Sequence, residues 1–223
     1  MSGDERVKRL RRLDACAVSD AMDRLGLSGA VTSLRRLSGH GSLAGIATTL
    51  RVAPGDPPPG PARHLGTRAV ELSGPDHVIV VEQVSGVDAG CWGGLLTLGA
   101  KVRGVAGVVA DGPIRDLDEA RGYAFPIFGN ATTSLTARGR VVEKETNGPV
   151  VIGGVRVEGG YYVLADESGV IFIPPHDIDR VLEASEAIVS REAAMAKAIL
   201  AGTPISEVMG GAYEHMLSEG GRQ

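Results

Sequence analysis

The sequence predicts an α/β protein with a mostly parallel sheet, and three observations support this prediction. Between residues 77 and 128, short apolar runs typical of buried strands alternate with helix-forming segments, as in parallel α/β units. Many of the 32 glycines lie at the ends of apolar runs, where a tight turn or the close approach of a ligand to the backbone requires a missing Cβ. Hydrophobic residues make up 43% of 223 positions, so the chain can bury a core without disulfides.

Four segments have the composition of strands in this sheet. Residues 45–52 are rich in β-branched side chains, which favour extended backbone. Residues 77–82 and 107–111 are short continuous apolar runs, and residues 125–128 form a further one. Runs of this length are too short for typical helices, so we expect buried strands.

Helices are predicted over five segments, of which the first contains one or two helices: residues 4–27, 62–73, 93–103, 116–122 and 177–200. In the third segment, Leu95, Leu96 and Ala100 are expected to face inward. The last segment has apolar residues at helical spacing along its length. Residues 53–61 are rich in proline and glycine and are interpreted as a surface loop.

Residues 140–173 differ in character from the segments before them. Residues 150–157, 161–164 and 169–173 are strand-like and are separated by glycine turns. They predict a small β-layer with hairpins. We find no internal repeat and no second domain, and residues 1–223 are therefore treated as one unit.

Charge and composition exclude several classes of protein. A net charge of −4 and a pI near 5.8 argue against a nucleic-acid partner, which requires a basic surface. The one basic cluster, at residues 8–12, is interpreted as a solvated helix face, with a partner contact as the alternative. No apolar run approaches the 18 residues of a membrane helix, so no membrane association is expected. Cys16 and Cys91 form no paired motif and no secretory segment is visible, which predicts a reduced, cytoplasmic protein.

The first candidate site is the glycine-rich turn Gly90–Leu96, which opens the predicted helix at 93–103. Backbone N–H groups at a helix start can bind a carboxylate or phosphate, and glycines allow a ligand to approach the backbone closely. The alternative is a plain turn. A dinucleotide site is not favoured, because Gly-x-Gly-x-x-Gly is absent.

The second candidate site is the segment Asp111–Asp116, directly after a predicted strand. Ligands of α/β sheets collect at the carboxyl ends of strands. The guanidinium of Arg115 can bind a carboxylate or a developing enolate, and Asp116 can supply an oxygen ligand to Mg²⁺, which commonly takes only one or two protein carboxylates. The alternative is structural, with Asp116 capping a helix and Arg115 in a surface ion pair.

Other chemistry finds little support in the sequence. The five histidines match no zinc-binding spacing, and a serine-hydrolase elbow is absent. Cys91 lies near a predicted helix start, where a thiolate is stabilised, but no base is assigned to it. Asp88 is interpreted as a loop cap, with a contact to metal-bound water as the alternative.

At the two candidate sites the sequence resembles the class II pyruvate aldolases acting on 4-hydroxy-4-methyl-2-oxoglutarate and 4-carboxy-4-hydroxy-2-oxoadipate. The same RraA-like superfamily contains the regulator that inhibits ribonuclease E. The resemblance covers nearly the whole chain and is carried by residues 18–26, 43–49, 92–96, 104–116, 125–128, 165–170 and 191–195.

This resemblance implies a swivelling β/β/α fold, assembled as a trimer or a dimer of trimers with active sites between subunits. It implies that Asp116 holds Mg²⁺ or Mn²⁺, largely through waters, and that Arg115 binds the pyruvyl group. The backbone at Gly93, Gly94, Leu95 and Leu96 would bind the carboxylate of the substrate. The implied activity is lyase chemistry on a 2-oxo acid through a metal-stabilised enolate, by retro-aldol release of pyruvate, oxaloacetate decarboxylation or both.

One position departs from the pattern of the family. The aldolases commonly have an acid where this chain has Gly94, and that acid organises metal-bound water. Asp88 or an acid of a neighbouring subunit, for which Glu192 is the candidate, could replace it. Two alternatives to the lyase therefore remain: a related enzyme using the same site for a different reaction, and a non-catalytic regulator like the ribonuclease-E inhibitor. The methyltransferase label of some members is discounted, because no glycine-rich cofactor loop followed by an acidic strand end is visible.

Overall fold

A computed structural model describes residues 4–61 and 63–210. Within these ranges the chain forms seven helices: α1 (Glu5–Leu10), α2 (Ala15–Arg24), α3 (Thr67–Leu72), α4 (Gly94–Val102), α5 (Leu117–Gly122), α6 (Ile178–Leu200) and α7 (Ile205–Val208). None of the helices in the described part of the chain is long and apolar enough to cross a membrane.

Eleven strands accompany these helices in the described ranges: β1 (Ala30–Val31), β2 (Arg35–Ser38), β3 (Leu43–Ala53), β4 (His77–Glu82), β5 (Gly107–Ile114), β6 (Ile127–Thr132), β7 (Val142–Thr146), β8 (Val150–Ile152), β9 (Val155–Val157), β10 (Tyr162–Ala165) and β11 (Val170–Ile173). Nine of them form one sheet, in the order β1-β11-β10-β3-β4-β5-β6-β2, with β7 also paired to β3.

The centre of the sheet is parallel, as the sequence predicts. Strands β3, β4, β5 and β6 pair in parallel, while β10, β7 and β2 pair with this group in antiparallel orientation. Strand β4 explains why: its four central residues, Val78 to Val81, are all fully buried. A strand that is apolar on both faces suits a sheet that is covered on both sides.

Different structures cover the two faces. Ile79 and Val81 belong to a core cluster that includes residues of α3, α4 and α5. Val78 and Val80 belong to a second cluster, which includes residues of the two-stranded β8–β9 hairpin. Helices α1, α2 and α6 pack against β10 and β11 in a third cluster. The molecule is therefore layered as helices, sheet and hairpin, in agreement with the α/β prediction.

The prediction of a separate β-layer over 140–173 is wrong in part. Strands β10 and β11 belong to the main sheet, and of this segment's strands only β8 and β9 form a sheet of their own. The single strand predicted at 150–157 is this hairpin. Its turn residues, Gly153 and Gly154, have φ values of 53° and 86°. Two successive positive φ values favour glycine and match the turn that best suits a two-residue hairpin loop.

Several element boundaries also need correction. The helix predicted at 62–73 begins only at Thr67, the strand predicted at 107–111 continues to Ile114, and the strand predicted at 125–128 is β6, at 127–132. Leu96 and Ala100 face the core as expected, but Leu95 is 86% exposed. Residues four apart share a helix face whereas adjacent residues do not, so Leu96 and Ala100 are buried together without Leu95.

The N-terminal basic cluster forms ion pairs within the chain. Arg9 donates two hydrogen bonds to Glu186 of α6, and Arg11 pairs with Asp76. Lys8 pairs with Glu5 one turn earlier in the same helix. The pairs of Arg9 and Arg11 tie α1 to α6 and to the loop before β4. The choice between a solvated face and a partner contact stays a prediction.

Candidate functional site

A cleft of about 900 Å³ lies at the carboxyl ends of the parallel strands. Loops that follow β3, β4, β5 and β6 line it, together with β7 and the start of α4: residues 57–61, 63–65, 68, 90, 92–96, 115–116, 136–139 and 141–146. Because the carboxyl ends of parallel strands meet at one edge of a sheet, these loops converge there. Of the two candidate sites predicted from the sequence, residues 90 and 92–96 of the first and Arg115 and Asp116 of the second line this cleft. Asp111 does not, and instead accepts hydrogen bonds from Asn130 and the N–H of Gly153.

Backbone hydrogen bonds join the two candidate segments side by side. The N–H of Cys91 donates to the carbonyl of Pro113 at 2.8 Å, and the N–H of Arg115 donates to the carbonyl of Trp92 at 2.9 Å. Trp92 and Ile114 form an isolated parallel bridge. The turn before α4 thus extends the edge of β5, which fixes Arg115 and Asp116 next to the start of α4.

A buried tryptophan holds this turn against α4. Trp92 is almost fully buried, and its Nε1 donates to Thr97 Oγ1 at 2.9 Å. Thr97 in turn donates to the carbonyl of Gly93 at 3.0 Å. Both polar groups of this pair are satisfied inside the protein, which a buried indole N–H requires.

The carboxylate of Asp116 points to α4 rather than to its own helix. Asp116 is the residue before α5 and has a left-handed backbone with φ of 54°, but its side chain forms no capping bond to α5. Its Oδ2 accepts a hydrogen bond from the N–H of Gly94 at 2.9 Å. The interpretation of Asp116 as a cap of its own helix is therefore wrong, and its other oxygen remains available to a ligand.

The side chain of Arg115 crosses directly over Gly90. A Cβ on Gly90 would contact both Cγ and Cδ of Arg115, so the arginine can adopt this path only because position 90 is a glycine. The shortest distance from its guanidinium to Asp116 is 3.9 Å, which is a weak ion pair. Its Nε is buried and has no hydrogen-bond partner among the described residues. The rest of the side chain is partly exposed and lines the cleft, so its terminal nitrogens can donate to a ligand there.

The amino end of α4 forms the floor next to these side chains. Gly93, Gly94, Leu95 and Leu96 all line the cleft, and Gly93, the residue before the helix, has no side chain with which to cap it. Unpaired N–H groups at a helix start attract anions. One of them, on Gly94, already donates to Asp116.

Three features of the cleft and its border were not predicted from the sequence. Glu119 of α5 places its carboxylate over Gly94, where a Cβ at position 94 would contact it. The loop at 57–61 lines the cleft, although it was interpreted only as a surface loop. Its position directly after β3 was the available signal, since β3 ends at the same edge as β4 and β5. Strand β7 forms the opposite wall, and its polar sequence gave no signal.

Cys91 and Asp88 do not line the cleft, and the role of Glu192 in the site of a neighbouring subunit stays a prediction. Cys91 is buried, which raises its pKa to about 12 and disfavours a nucleophilic thiolate. Asp88 is exposed in a loop that is held by hydrogen bonds from Gln83. Glu192 lies on α6, a helix that packs against α1 and α2. No three His, Cys, Asp or Glu side chains of the described residues form a metal-binding group.

Fold and site together define an α/β protein whose cleft presents an arginine, a helix start and carboxylates at the carboxyl edge of a parallel sheet. The family model described as Aldolase/RraA matches residues 15–172. The chain therefore belongs to the RraA-like family.

Known proteins of this type are similar over most of the chain. A protein of Halalkalibacterium halodurans, provisionally named as a 4-hydroxy-4-methyl-2-oxoglutarate aldolase, is 30% identical over 79% of this chain and 80% of its own length. Protein DlpA of Legionella pneumophila is 27% identical over 90% of this chain, which spans only 32% of that relative. The crystal structure of RraAS2 of Streptomyces coelicolor, described as an unusual member of an RNase ES inhibitor family, superposes with a TM-score of 0.74. It is 26% identical and is matched over 86% of this chain and 96% of that one.

Proposed function

We propose that this protein is a divalent-metal-dependent carbon–carbon lyase that acts on a 2-oxo acid. Its reaction would be retro-aldol release of pyruvate, decarboxylation of oxaloacetate, or both. The observation that carries the proposal is the hydrogen bond from Gly94 to Asp116, because it brings Asp116, Arg115 and the start of α4 together in one cleft.

Different groups in the cleft suit different parts of such a substrate. The free N–H groups at Leu95 and Leu96 suit the carboxylate of the substrate, since a helix start stabilises an anion. The guanidinium of Arg115 suits the oxygen of the 2-oxo group, whose negative charge grows as the carbon–carbon bond breaks. The bulk of the cleft, beyond the reacting end, has room for the remainder of the substrate.

The donor set fits Mg²⁺ or Mn²⁺ better than zinc. Asp116 offers one carboxylate oxygen that is not bonded to Gly94, and Mg²⁺ commonly binds through one or two carboxylates and several waters. A zinc site would require three or four protein ligands, including His or Cys. When bound, the ion would polarise the 2-oxo group and stabilise the charge that develops on it.

The test is pyruvate release from 4-hydroxy-4-methyl-2-oxoglutarate, 4-carboxy-4-hydroxy-2-oxoadipate and oxaloacetate. Each substrate is assayed with Mg²⁺ or Mn²⁺ and again with EDTA. We expect turnover of at least one substrate that EDTA abolishes and added metal restores. Turnover that survives EDTA would refute the metal dependence, and no turnover of any substrate by metal-loaded protein would refute the lyase.

We also propose that the chain assembles as a homotrimer or a dimer of trimers. Leu95, Leu98 and Val102 lie on one side of α4 and are all exposed, at the spacing of a single helix face. Such a face is typical of a protein interface. Leu95 also lines the cleft, so a second copy there would border the substrate.

Light scattering should give a mass of three or six chains for the wild type. The double variant Leu98→Glu/Val102→Glu should have a lower mass. A monomeric wild type would contradict the proposal.

A second candidate is a non-catalytic regulator that binds a ribonuclease. The similarity to RraAS2 favours it, since that protein is described within a ribonuclease-inhibitor family. This candidate predicts metal-independent capture of a ribonuclease of the E type and no pyruvate release. Capture by wild type and by Asp116→Asn alike, with no turnover, would select it over the lyase.

A further inference from the structure

We infer that Glu119 is the second carboxylate of the cation site, in the space that Gly94 leaves open. This inference rests on the proposed function, because it assigns a further residue to the same site. It would make Gly94 and Glu119 a matched pair, in which the missing side chain of one position admits the carboxylate of the other.

The geometry at Gly94 places the two acids next to each other. A Cβ built on Gly94 would lie 2.8 Å from Cδ of Glu119 and 3.2 Å from Cβ of Asp116. Both acidic side chains therefore adjoin one small volume above the start of α4. Any side chain at position 94 would displace the carboxylate of Glu119 from this volume.

The sequence position of Glu119 would allow it a structural role instead. It is the third residue of α5, where a Glu commonly bonds back to the N–H of the residue before the helix. Here that residue is Asp116, and the carboxylate of Glu119 lies over Gly94 of a different helix. Asp116 is likewise turned toward α4. The two side chains that could cap α5 thus both lie next to Gly94 of α4, at the border of the cleft.

The charges in this place also favour a cation. Glu119 forms no ion pair among the described residues, and the one ion pair of Asp116 within them is with Arg115 at 3.9 Å. Mg²⁺ and Mn²⁺ prefer carboxylate oxygens and commonly use one or two of them. A divalent ion between Asp116 and Glu119, bound directly or through its waters, would neutralise both acids.

Binding of Mn²⁺, measured by electron paramagnetic resonance, tests the inference without any assay of turnover. Glu119→Gln keeps the shape of the side chain and removes its charge, and should weaken Mn²⁺ affinity by about 10-fold or more. Asp118→Asn is the matched control: it is on the same helix and also removes one negative charge, but Asp118 is fully exposed and pairs with Arg121. It should change Mn²⁺ affinity by less than about 2-fold, since an exposed charge is screened.

A transplanted carboxylate gives a second measurement. Gly94→Asp combined with Glu119→Ala places the acid on α4 instead of α5, and should bind Mn²⁺ more tightly than Glu119→Ala alone. Equal affinities of Glu119→Gln and Asp118→Asn, together with no rescue by the transplant, would overturn the inference. If Asp116→Asn still loses Mn²⁺ affinity when the inference on Glu119 has failed, the proposed function stands. If the wild type does not bind Mn²⁺, both the inference on Glu119 and the proposed metal dependence are wrong.

Discussion

The two ends of the helical layer use carboxylates in opposite ways. Where α1 meets α6, Asp179 and Glu186 each accept two hydrogen bonds from an arginine, and these bonds lower the pKa of both carboxyl groups. Where α4 meets α5, Asp116 accepts one backbone hydrogen bond from Gly94 and forms only a weak ion pair with Arg115, and Glu119 lies over a glycine. The first set joins elements of the fold, and the second is left open to a ligand.

The carboxylates at the α1–α6 end of the helical layer therefore contribute to stability, whereas those at the α4–α5 end are expected to serve ligand binding. Removing a carboxylate at the α1–α6 end should affect stability at acid pH and leave the cleft unchanged. Removing one at the α4–α5 end should affect ligand binding and leave the fold intact. Four substitutions test this division, and they are given from the largest expected effect to the smallest.

Asp116→Asn should have the largest effect. The amide can keep a bond to the Gly94 N–H but loses the charge that would bind a cation, so we expect pyruvate release to fall about 1,000-fold. The measurement is kcat/KM with saturating Mg²⁺, with circular dichroism as the check on folding. Activity within 10-fold of wild type would remove Asp116 from the proposed site.

Gly90→Ala should act through Arg115. The new methyl group would occupy the path of Cγ and Cδ and displace the guanidinium, and displacements of about 1 Å can reduce rates by about 100-fold. Gly74→Ala is the control, because a Cβ there meets nothing within 4 Å. We expect kcat/KM to fall by about 10- to 100-fold for Gly90→Ala alone. Equal rates in the two variants would show that the path of Arg115 is not constrained.

Thr97→Val should destabilise the turn that carries the site. The change leaves Trp92 Nε1 buried without its acceptor, which costs about 1–3 kcal/mol. Urea unfolding measures the resulting loss in the free energy of unfolding. Thr67→Val serves as the control, because it removes a half-buried hydroxyl that donates only to the nearby carbonyl of His64. Restoration of stability by Trp92→Phe in the Thr97→Val background would show that the unsatisfied indole is the cause.

Glu186→Gln should have the smallest effect, and only at acid pH. The pKa of this carboxyl is lower in the folded protein than in the unfolded chain, because Arg9 donates to it. Its contribution to stability is therefore present above about pH 4.5 and is lost as the pH falls through the folded pKa. Between about pH 5 and pH 3, wild type should lose more stability than Glu186→Gln, with Glu183→Gln as the control on the same helix. Parallel curves for wild type and Glu186→Gln would exclude this pair as a source of acid sensitivity.

The parallel strands of the core, and the position of Arg115 and Asp116 at one edge of the sheet, could be predicted from local sequence. Apolar runs such as Val78–Val81 specify buried strands, and a polar segment after such a strand falls at a predictable edge. Strand β7 could not be predicted in this way. Its residues, Val142–Thr146, are mostly polar and half-exposed, and it pairs with the end of β3, about 90 positions earlier. Pairing over that separation is decided by the whole fold rather than by local composition.

The contact between Gly94 and Glu119 could not be predicted from the sequence for a different reason. The two residues are 25 positions apart and lie on different helices, and each has an ordinary local explanation. Glycine is common at a helix start, and Glu is common in a first helical turn. Only the packing of α4 against α5 reveals that the small residue makes room for the large one.

The left-handed backbone at Asp116 restricts which amino acids can occupy this position. Amino acids other than Gly, Asn and Asp rarely tolerate a φ of 54°, and of these three only Asp has a negative charge. A relative with Asn or Gly at this position could keep the fold and lose the carboxylate that the proposed cation site requires. Inspection of this one position should therefore sort the family into members that can perform metal chemistry and members that keep the scaffold for other purposes.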